Sequence, residues 1–478
     1  MIRALENSRA KLTLIIALIL FSLYNLNSYK GSEFVFLVFS GTSIFYIYRS
    51  LTVASSFFNL FICGLLSLGF FFKLNIHLVT DSYIFGDTIG SFSFLESEYD
   101  RALILATAGL FGFLTSNEIV IWLSRFSGKS LIFQNFDLSK KDWQIPGRYL
   151  ACIGFLLIAI SLLINFSNLH FNIYQRGVVS SVSGIIIAIW TIMLMFGLSL
   201  LFATLIQINQ SAKGQTFYFV LLAMIDAALT SVSMLSRAFI LFAGVFIFCF
   251  WYTSKSQPTG KKALQMCVLI CTYFALTMLT VKAVSEIRYK SYSSITASGG
   301  DAPPTDNPEK FESTFLRLLI GRWVGFEGVM SSTSFKGDRE LTFKRILNEK
   351  IGSNISIYDS EVTQSSYIGR KVTKFRFVTV PGIIGWLSLR DSVAFVFIGC
   401  LFISFLFFSV EHLFSRVFSS VWISAVVGHV LAFRVAHFGF VPLQTYKLLI
   451  GLLSFGLVLC FILLVLRRLF PPLRNAHD

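Results

Sequence analysis

Apolar runs of about 16 to 25 residues recur along nearly the whole chain, and a helix of about 20 residues crosses the roughly 30 Å hydrocarbon core of a bilayer. The runs are continuous and do not alternate, which separates membrane helices from barrel strands, the two structures that satisfy their own backbone hydrogen bonds in lipid. The pattern predicts spans near residues 12–27, 33–48, 51–72, 102–124, 149–167, 181–207, 216–234, 238–252, 263–281, 392–410, 417–433 and 445–466. The fold class is therefore all-α, a polytopic membrane protein with about 12 transmembrane helices. The first run follows Arg3, Arg9 and Lys11, and no small-residue cleavage site follows it, so it is expected to stay as a span.

One polar segment is far longer than the others. It divides the chain into helices over 1–281, a large loop over 282–391, and three further helices with a tail over 392–478. The loop contains a Pro-rich stretch from Gly299 to Glu309, amphipathic pieces around Phe311 to Met330 and Leu341 to Ile351, and a return near Phe375 to Leu389. Its interspersed aromatic and aliphatic residues predict a folded, partly helical, membrane-apposed cap.

Composition and charge orient this arrangement. The 478 residues are 55% hydrophobic and 14% charged, against about 25% charged in soluble proteins. Of the 40 Lys and Arg, seventeen fall in short segments on the side of the termini and seven in short segments opposite; sixteen lie in the long loop. That asymmetry predicts cytoplasmic termini and an outward-facing loop. The seven cysteines lie in or beside apolar runs and form no disulfide or zinc spacing. There is no P-loop, dinucleotide fingerprint or His-Glu-x-x-His site. No cofactor, metal or nucleic-acid partner is expected.

Candidate chemistry concentrates in the arginines of the outward half, whose guanidinium forks match phosphate and pyrophosphate oxygens. The alternative for any one of them is a solvated surface balanced by the loop's own acids. Arg237 precedes an apolar run of only about 15 residues, about 22 Å as a helix, so the Ser231–Arg237 hairpin is expected below the outer surface, with Arg237 either a functional site or a boundary residue that snorkels to the interface. Arg434 and His437 stand three residues apart at the outer end of a span and are expected to project from one face, an anion-binding group beside a base, unless His437 is an interfacial hydrogen-bonding residue. Glu327 is an alternative base. Asp226, inside a span, pairs with a buried arginine or relays protons. The acidic groups Glu96, Glu98 and Asp100, and Asp359 with Glu361, could offer oxygen ligands to a divalent metal, or be solvated.

The chain resembles the O-antigen polymerases, the Wzy-type oligosaccharide repeat-unit polymerases of bacterial surface polysaccharide synthesis. The resemblance rests on the span count, the late outer loop, the stretch Met234-Leu235-Ser236-Arg237-Ala238, the segment Arg322-Trp323-Val324-Gly325, the return Pro381-Gly382-Ile383-Ile384-Gly385, and the late Arg434. Some family members place an arginine and a glycine ten intervening positions apart in two different outer loops. Here Arg288 to Gly299 and Arg317 to Gly328 share that spacing, but within one loop.

The resemblance implies a GT-C-like architecture in the bacterial inner membrane, with an active site on the periplasmic face. The activity implied is transfer of a glycan from undecaprenyl pyrophosphate to the terminal sugar of another lipid-linked repeat unit, without a metal. The partners are that lipid-linked oligosaccharide, the lipid bilayer and a polysaccharide chain-length regulator. Arg237, Arg434, Arg322, Arg376, Arg176 and Arg288 would bind the pyrophosphate, and His437 or Glu327 would deprotonate the attacking hydroxyl. Competing readings are an O-antigen ligase, a polyprenyl-phosphate-sugar glycosyltransferase, and a lipid-linked oligosaccharide flippase. The loop of about one hundred residues weighs against the flippase, because alternating access is largely the rocking of helical bundles.

Overall fold

The structure is a computed structural model and describes residues 8–80, 89–126, 147–175, 184–211, 215–254, 260–296, 320, 323–349, 356–364, 380–438 and 442–469. All regular structure among these residues is helical. Ten helices are long and apolar enough to cross a membrane, and two shorter apolar helices join them, so the chain has the build of a multi-pass membrane protein. In chain order the long elements are α1 (Ser8–Leu26), α2 (Glu33–Thr52), α3 (Phe57–Thr80), α4 (Glu96–Phe126), α5 (Gly147–Phe171), α6 (Gly184–Gln210), α7 (Thr216–Ser233), α8 (Arg237–Ser254) and α9 (Gly260–Thr296). The short helices α10 (Phe326–Ser334), α11 (Arg339–Leu347) and α12 (Gly382–Ser388) follow, then α13 (Val393–Phe418), α14 (Val421–Ala436) and α15 (Leu443–Leu469). Each of the twelve apolar runs is a helix.

Local chemistry sets the ends of these helices. Ser392 opens α13 by accepting a hydrogen bond from the Phe395 N–H, and Ser420 opens α14 by accepting from Ile423. Between them Ser419 takes a left-handed conformation, φ +47°, which turns the chain back within two residues. The start of α3 is capped twice. Ser56 accepts from the Asn59 N–H, and the buried carboxylate of Glu411, from α13, accepts from the N–H groups of Phe57 and Phe58 at 2.9 and 2.7 Å. Those amides have no partner within their own helix, and a carboxylate also suits the positive end of the helix dipole.

The core lies around α14, which is buried along its whole length up to Ala432. A chain of aromatic contacts joins α3, α8 and α14: Phe57 and Phe61 meet Phe248, and Phe61 and Phe242 both meet the edge of His429. α4 and α13 run side by side in the same direction, from the Arg101–Asp391 ion pair to the contact of Gly112 with Phe397 and Cys400.

The long loop departs from expectation in two ways. The residues from 282 onward begin as helix, because α9 continues unbroken to Thr296 and carries Arg288 on its last turns. The boundary drawn at 281 therefore falls inside an element; hydropathy ends there, but the helix does not. The second departure is depth. α10 is buried almost throughout and α12 entirely so, packed against each other and against α4, where a cap was expected.

That depth rests on glycine, because two backbones meet at pairs of residues without side chains. A Cβ on Gly69 would lie 2.0 Å from the Val324 carbonyl oxygen, next to Gly325, and α3 widens there into a π-turn over Ser67–Phe72. A Cβ on Gly328 would lie 2.0 Å from the Pro381 carbonyl oxygen, and Gly385 closes on Gly328 from α12. We expect Gly328→Ala to lower stability by roughly 1–3 kcal/mol through overpacking. The measurement is the thermal unfolding midpoint in detergent. Gly64→Ala, whose new Cβ would meet nothing within 4 Å, is the control and should leave that midpoint no lower.

Candidate functional site

The candidate residues gather at one end of the bundle, and helix pairing explains why. Phe242 of α8 contacts His429 of α14, and Phe246 contacts Trp422, so the two helices are antiparallel. Arg237 precedes Phe242 by the same five positions by which Arg434 follows His429. Each arginine therefore lies about 8 Å beyond that contact along its helix, and the two share one level. α13 begins at this end, since it forms a tight hairpin with α14, and the Arg101–Asp391 pair brings the start of α4 there too.

Arg288 joins them through the turn between α7 and α8. Arg237 donates from Nη2 to the Ser285 hydroxyl at 2.7 Å, and Arg288, one turn further along α9, donates to the Leu235 carbonyl. Leu235 is left-handed, φ +50°, which is what folds Met234–Ser236 into a compact turn and aims Arg237 back toward α9. Arg237 is half-buried.

Arg434 and His437 lie at the open end of α14. Both are half-buried, whereas most of the helix before them is covered. Arg434 donates from Nε to the Thr445 hydroxyl of α15 at 2.9 Å, and its guanidinium carbon stands 5.6 Å from the Phe438 ring. His437 leaves the helical path as the C-cap and stacks on Phe433 with ring centroids 4.0 Å apart, its Nδ1 3.1 Å from the Phe433 carbonyl oxygen. A carbonyl only accepts, so Nδ1 is the protonated nitrogen in this contact and Nε2 of the neutral ring carries the lone pair. His437 thus turns to Phe433, while Arg434 reaches Thr445 and Phe438. The return segment seals this end: the Gly382 N–H donates to the Phe438 carbonyl at 2.9 Å, and Trp386 packs on Phe438.

Glu327 is placed differently from a base that takes protons from substrate. Its carboxylate is buried in the first turn of α10, 2.7 Å from the equally buried Nζ of Lys73, which also donates to the Trp323 carbonyl at 2.6 Å. The pair is a bolt between α3 and the Trp323–Glu327 segment. Next to it the Tyr358 phenol bonds Ser331 at 2.6 Å and donates to the Gly328 carbonyl, and burial raises its pKa well above the ordinary phenol value, so it stays neutral.

Several loop arginines are ion-paired. Arg339 shares Asp391 with Arg101, Arg345 pairs with Glu361, and Arg390 faces Glu340 at 3.7 Å and covers the Phe343 and Phe395 rings. Arg322, Arg376 and Arg176 lie outside the described residues. Asp226 is buried and accepts from the Ser161 hydroxyl at 2.6 Å. Of the acidic groups weighed as metal ligands, Asp100 accepts from Tyr29 and the Ser32 amide, Glu98 from Ser93, Asp359 from Ser356, and Glu361 from Arg345 and Thr342. Among the described residues no three of His, Cys, Asp and Glu converge as metal ligands.

Sequence reasoning missed Lys73, Ser285, Thr445 and the α5 asparagines Asn165 and Asn168. The serine and threonine carry no distinguishing signal. Lys73 ending the run Phe70-Phe71-Phe72, and two amides three residues apart inside an apolar span, do. No family model matches the chain, and no curated protein or solved structure matches it.

The bolt makes a prediction. Lys73→Met leaves Glu327 as an uncompensated buried charge and should cost about 3–5 kcal/mol, while the double variant Lys73→Met/Glu327→Leu should recover most of that loss. Thermal unfolding midpoints of the wild type, the two single variants and the double variant give the comparison; a double variant as unstable as the sum of the singles would contradict the pairing.

Proposed function

We propose that this protein transfers a glycan from a polyprenyl-pyrophosphate carrier to a sugar hydroxyl of a second lipid-linked repeat unit, as an O-antigen or related surface polysaccharide polymerase. The observation that carries the reading is the placement of Arg237, Arg288 and Arg434 at one level of one bundle end, the end at which His437 caps its helix. Three permanent cations in a site walled by apolar helices suit a diphosphate better than a neutral ligand. The twelve apolar helices, read as twelve spans, and the excess of Lys and Arg on the side of the termini support cytoplasmic termini and an arginine end on the periplasmic face of an inner membrane.

In this reaction the oxygen of the acceptor hydroxyl attacks the anomeric carbon of the donor glycan. The bond from that carbon to the pyrophosphate oxygen breaks, and the electron pair leaves with the pyrophosphate. Nε2 of His437 takes the hydroxyl proton. The arginines stabilise the negative charge that grows on the leaving group, and their geometry is set before substrate arrives because each is already tied to a neighbouring helix. A buried ion pair and glycine crossings that bolt α10 and α12 into the bundle favour chemistry on a rigid frame over the rocking that alternating access needs.

The test is incubation of purified protein with undecaprenyl-pyrophosphate-linked repeat units, with products resolved by size. A ladder of lengthening glycans is expected; unchanged substrate from folded protein, with transfer to a lipopolysaccharide core acceptor instead, would replace polymerase by ligase. Arg237→Ala and Arg434→Ala should each lower turnover by about 10²- to 10³-fold. Lysine at either position should restore only part of the loss, because it keeps the charge without the fork. Full activity in both alanine variants would refute the assignment.

A further inference from the structure

The turn that carries Arg237 is held from two sides, and the second side has no part in the reading above. α5 presents Ser161, Asn165 and Asn168 to the end of α7, at helical spacing and all buried. Ser161 donates to Asp226 at 2.6 Å. Asn165 donates to the Ser161 carbonyl at 2.9 Å and its oxygen accepts from the Ser233 hydroxyl. Asn168 then uses its whole amide: it donates to the Ser233 carbonyl at 2.9 Å and to the Tyr174 carbonyl at 3.0 Å, and accepts from the Tyr174 N–H at 2.8 Å. Ser233 is the last residue of α7, where helical carbonyls lose their partners and Leu235 turns left-handed. On the opposite side Ser285 and Arg288 of α9 engage Arg237 and Leu235.

We propose that Asn168 is a positioning residue for the anion site, which holds the end of α7 so that Arg237 reaches the pyrophosphate; the inference rests on the reading of Arg237 given above. The chemistry of the contact supports this role. An amide satisfied at both ends inside an apolar span has little freedom to shift, because each alternative position leaves a buried polar group without its bond. Asn168 also ties down Tyr174, so one side chain fixes both the end of α7 and the chain that follows α5. A displacement of about 1 Å at a group that must meet a transferring bond costs on the order of 100-fold in rate.

The experiment is calorimetric titration of inorganic pyrophosphate into the detergent-solubilised full chain, for wild type, Asn168→Ala, Arg237→Ala and the double variant, alongside their unfolding midpoints. Arg237→Ala should weaken binding about 10-fold or more, Asn168→Ala should weaken it comparably, and the double variant should bind no worse than Arg237→Ala alone, because one residue acts through the other. Ser233→Ala, which removes the hydroxyl bonds to Asn165 and to the Thr230 carbonyl but keeps the Asn168 contact, should give a smaller loss in the same direction and serves if Asn168→Ala does not fold. Wild-type affinity in Asn168→Ala with only the midpoint lowered, or losses that add in the double variant, would overturn the proposal and leave the function standing. No pyrophosphate binding by the wild type would remove both.

Discussion

Two charges taken out of water hold this structure together at its most crowded point. The effective penalty for burying an ion is several kcal/mol even after relaxation, and Lys73 and Glu327 offset it by pairing at 2.7 Å. Lys73 divides its donors between Glu327 and the Trp323 carbonyl, and Glu327 sits in the first turn of α10 where the helix dipole favours an anion. The consequences run outward from the pair. α10 is drawn against α3 closely enough that Gly69 and Gly325 must lack side chains, and Gly328 meets Pro381 and Gly385 on the far side. α12 is thereby set against the end of α14, where the Gly382–Phe438 hydrogen bond lies one residue from His437. A buried ion pair thus reaches the proposed chemistry through backbone contacts alone.

How much of this was legible in the sequence depended on how far each feature is a matter of period and length. The twelve apolar runs all became helices because lipid leaves the backbone no other way to bond itself. The loop was misjudged for the same reason that the spans were not. Hydropathy reads α10 and α12 as short polar-flanked pieces, and it cannot see that glycines at Gly328 and Gly385 let them sink into the bundle. The end of α9 was placed about fifteen residues early, since helix and hydrophobic stretch were taken to finish together. Arg288 consequently belongs to a helix facing the Leu235 turn and not to a loop.

The arginines show what pattern alone cannot divide. The outward arginines look alike along the chain, yet Arg339 and Arg345 of α11 pair with Asp391 and Glu361 and Arg390 faces Glu340 of α11, while Arg237, Arg288 and Arg434 lie at one level through helix pairing. That Arg237 stands at the start of a helix was legible from the apolar run after it. The partnership of Arg237 with Arg434 was not. It follows from the antiparallel fit of Phe242 on His429, a contact between residues 187 positions apart that no local signal records.

Polar residues inside spans carry the same ambiguity, and the resolution is informative. Asp226 and Glu411 are both carboxylates in apolar helices, the usual mark of a proton path or a transported ion. Here Glu411 accepts the first two amides of α3, and Asp226 accepts the Ser161 hydroxyl at one end of a ladder that reaches Ser233. The Glu411 carboxyl holds the start of α3, whose far half carries Lys73, and Asp226 ties α7, from whose end Arg237 hangs, to Ser161 of α5. In lipid an unmet polar group is costly enough that such bonds hold their helices at a definite height. Intramembrane polarity in this chain therefore works chiefly as alignment. It fixes helix ends along the bundle axis, and the groups suited to chemistry are those left at the rim.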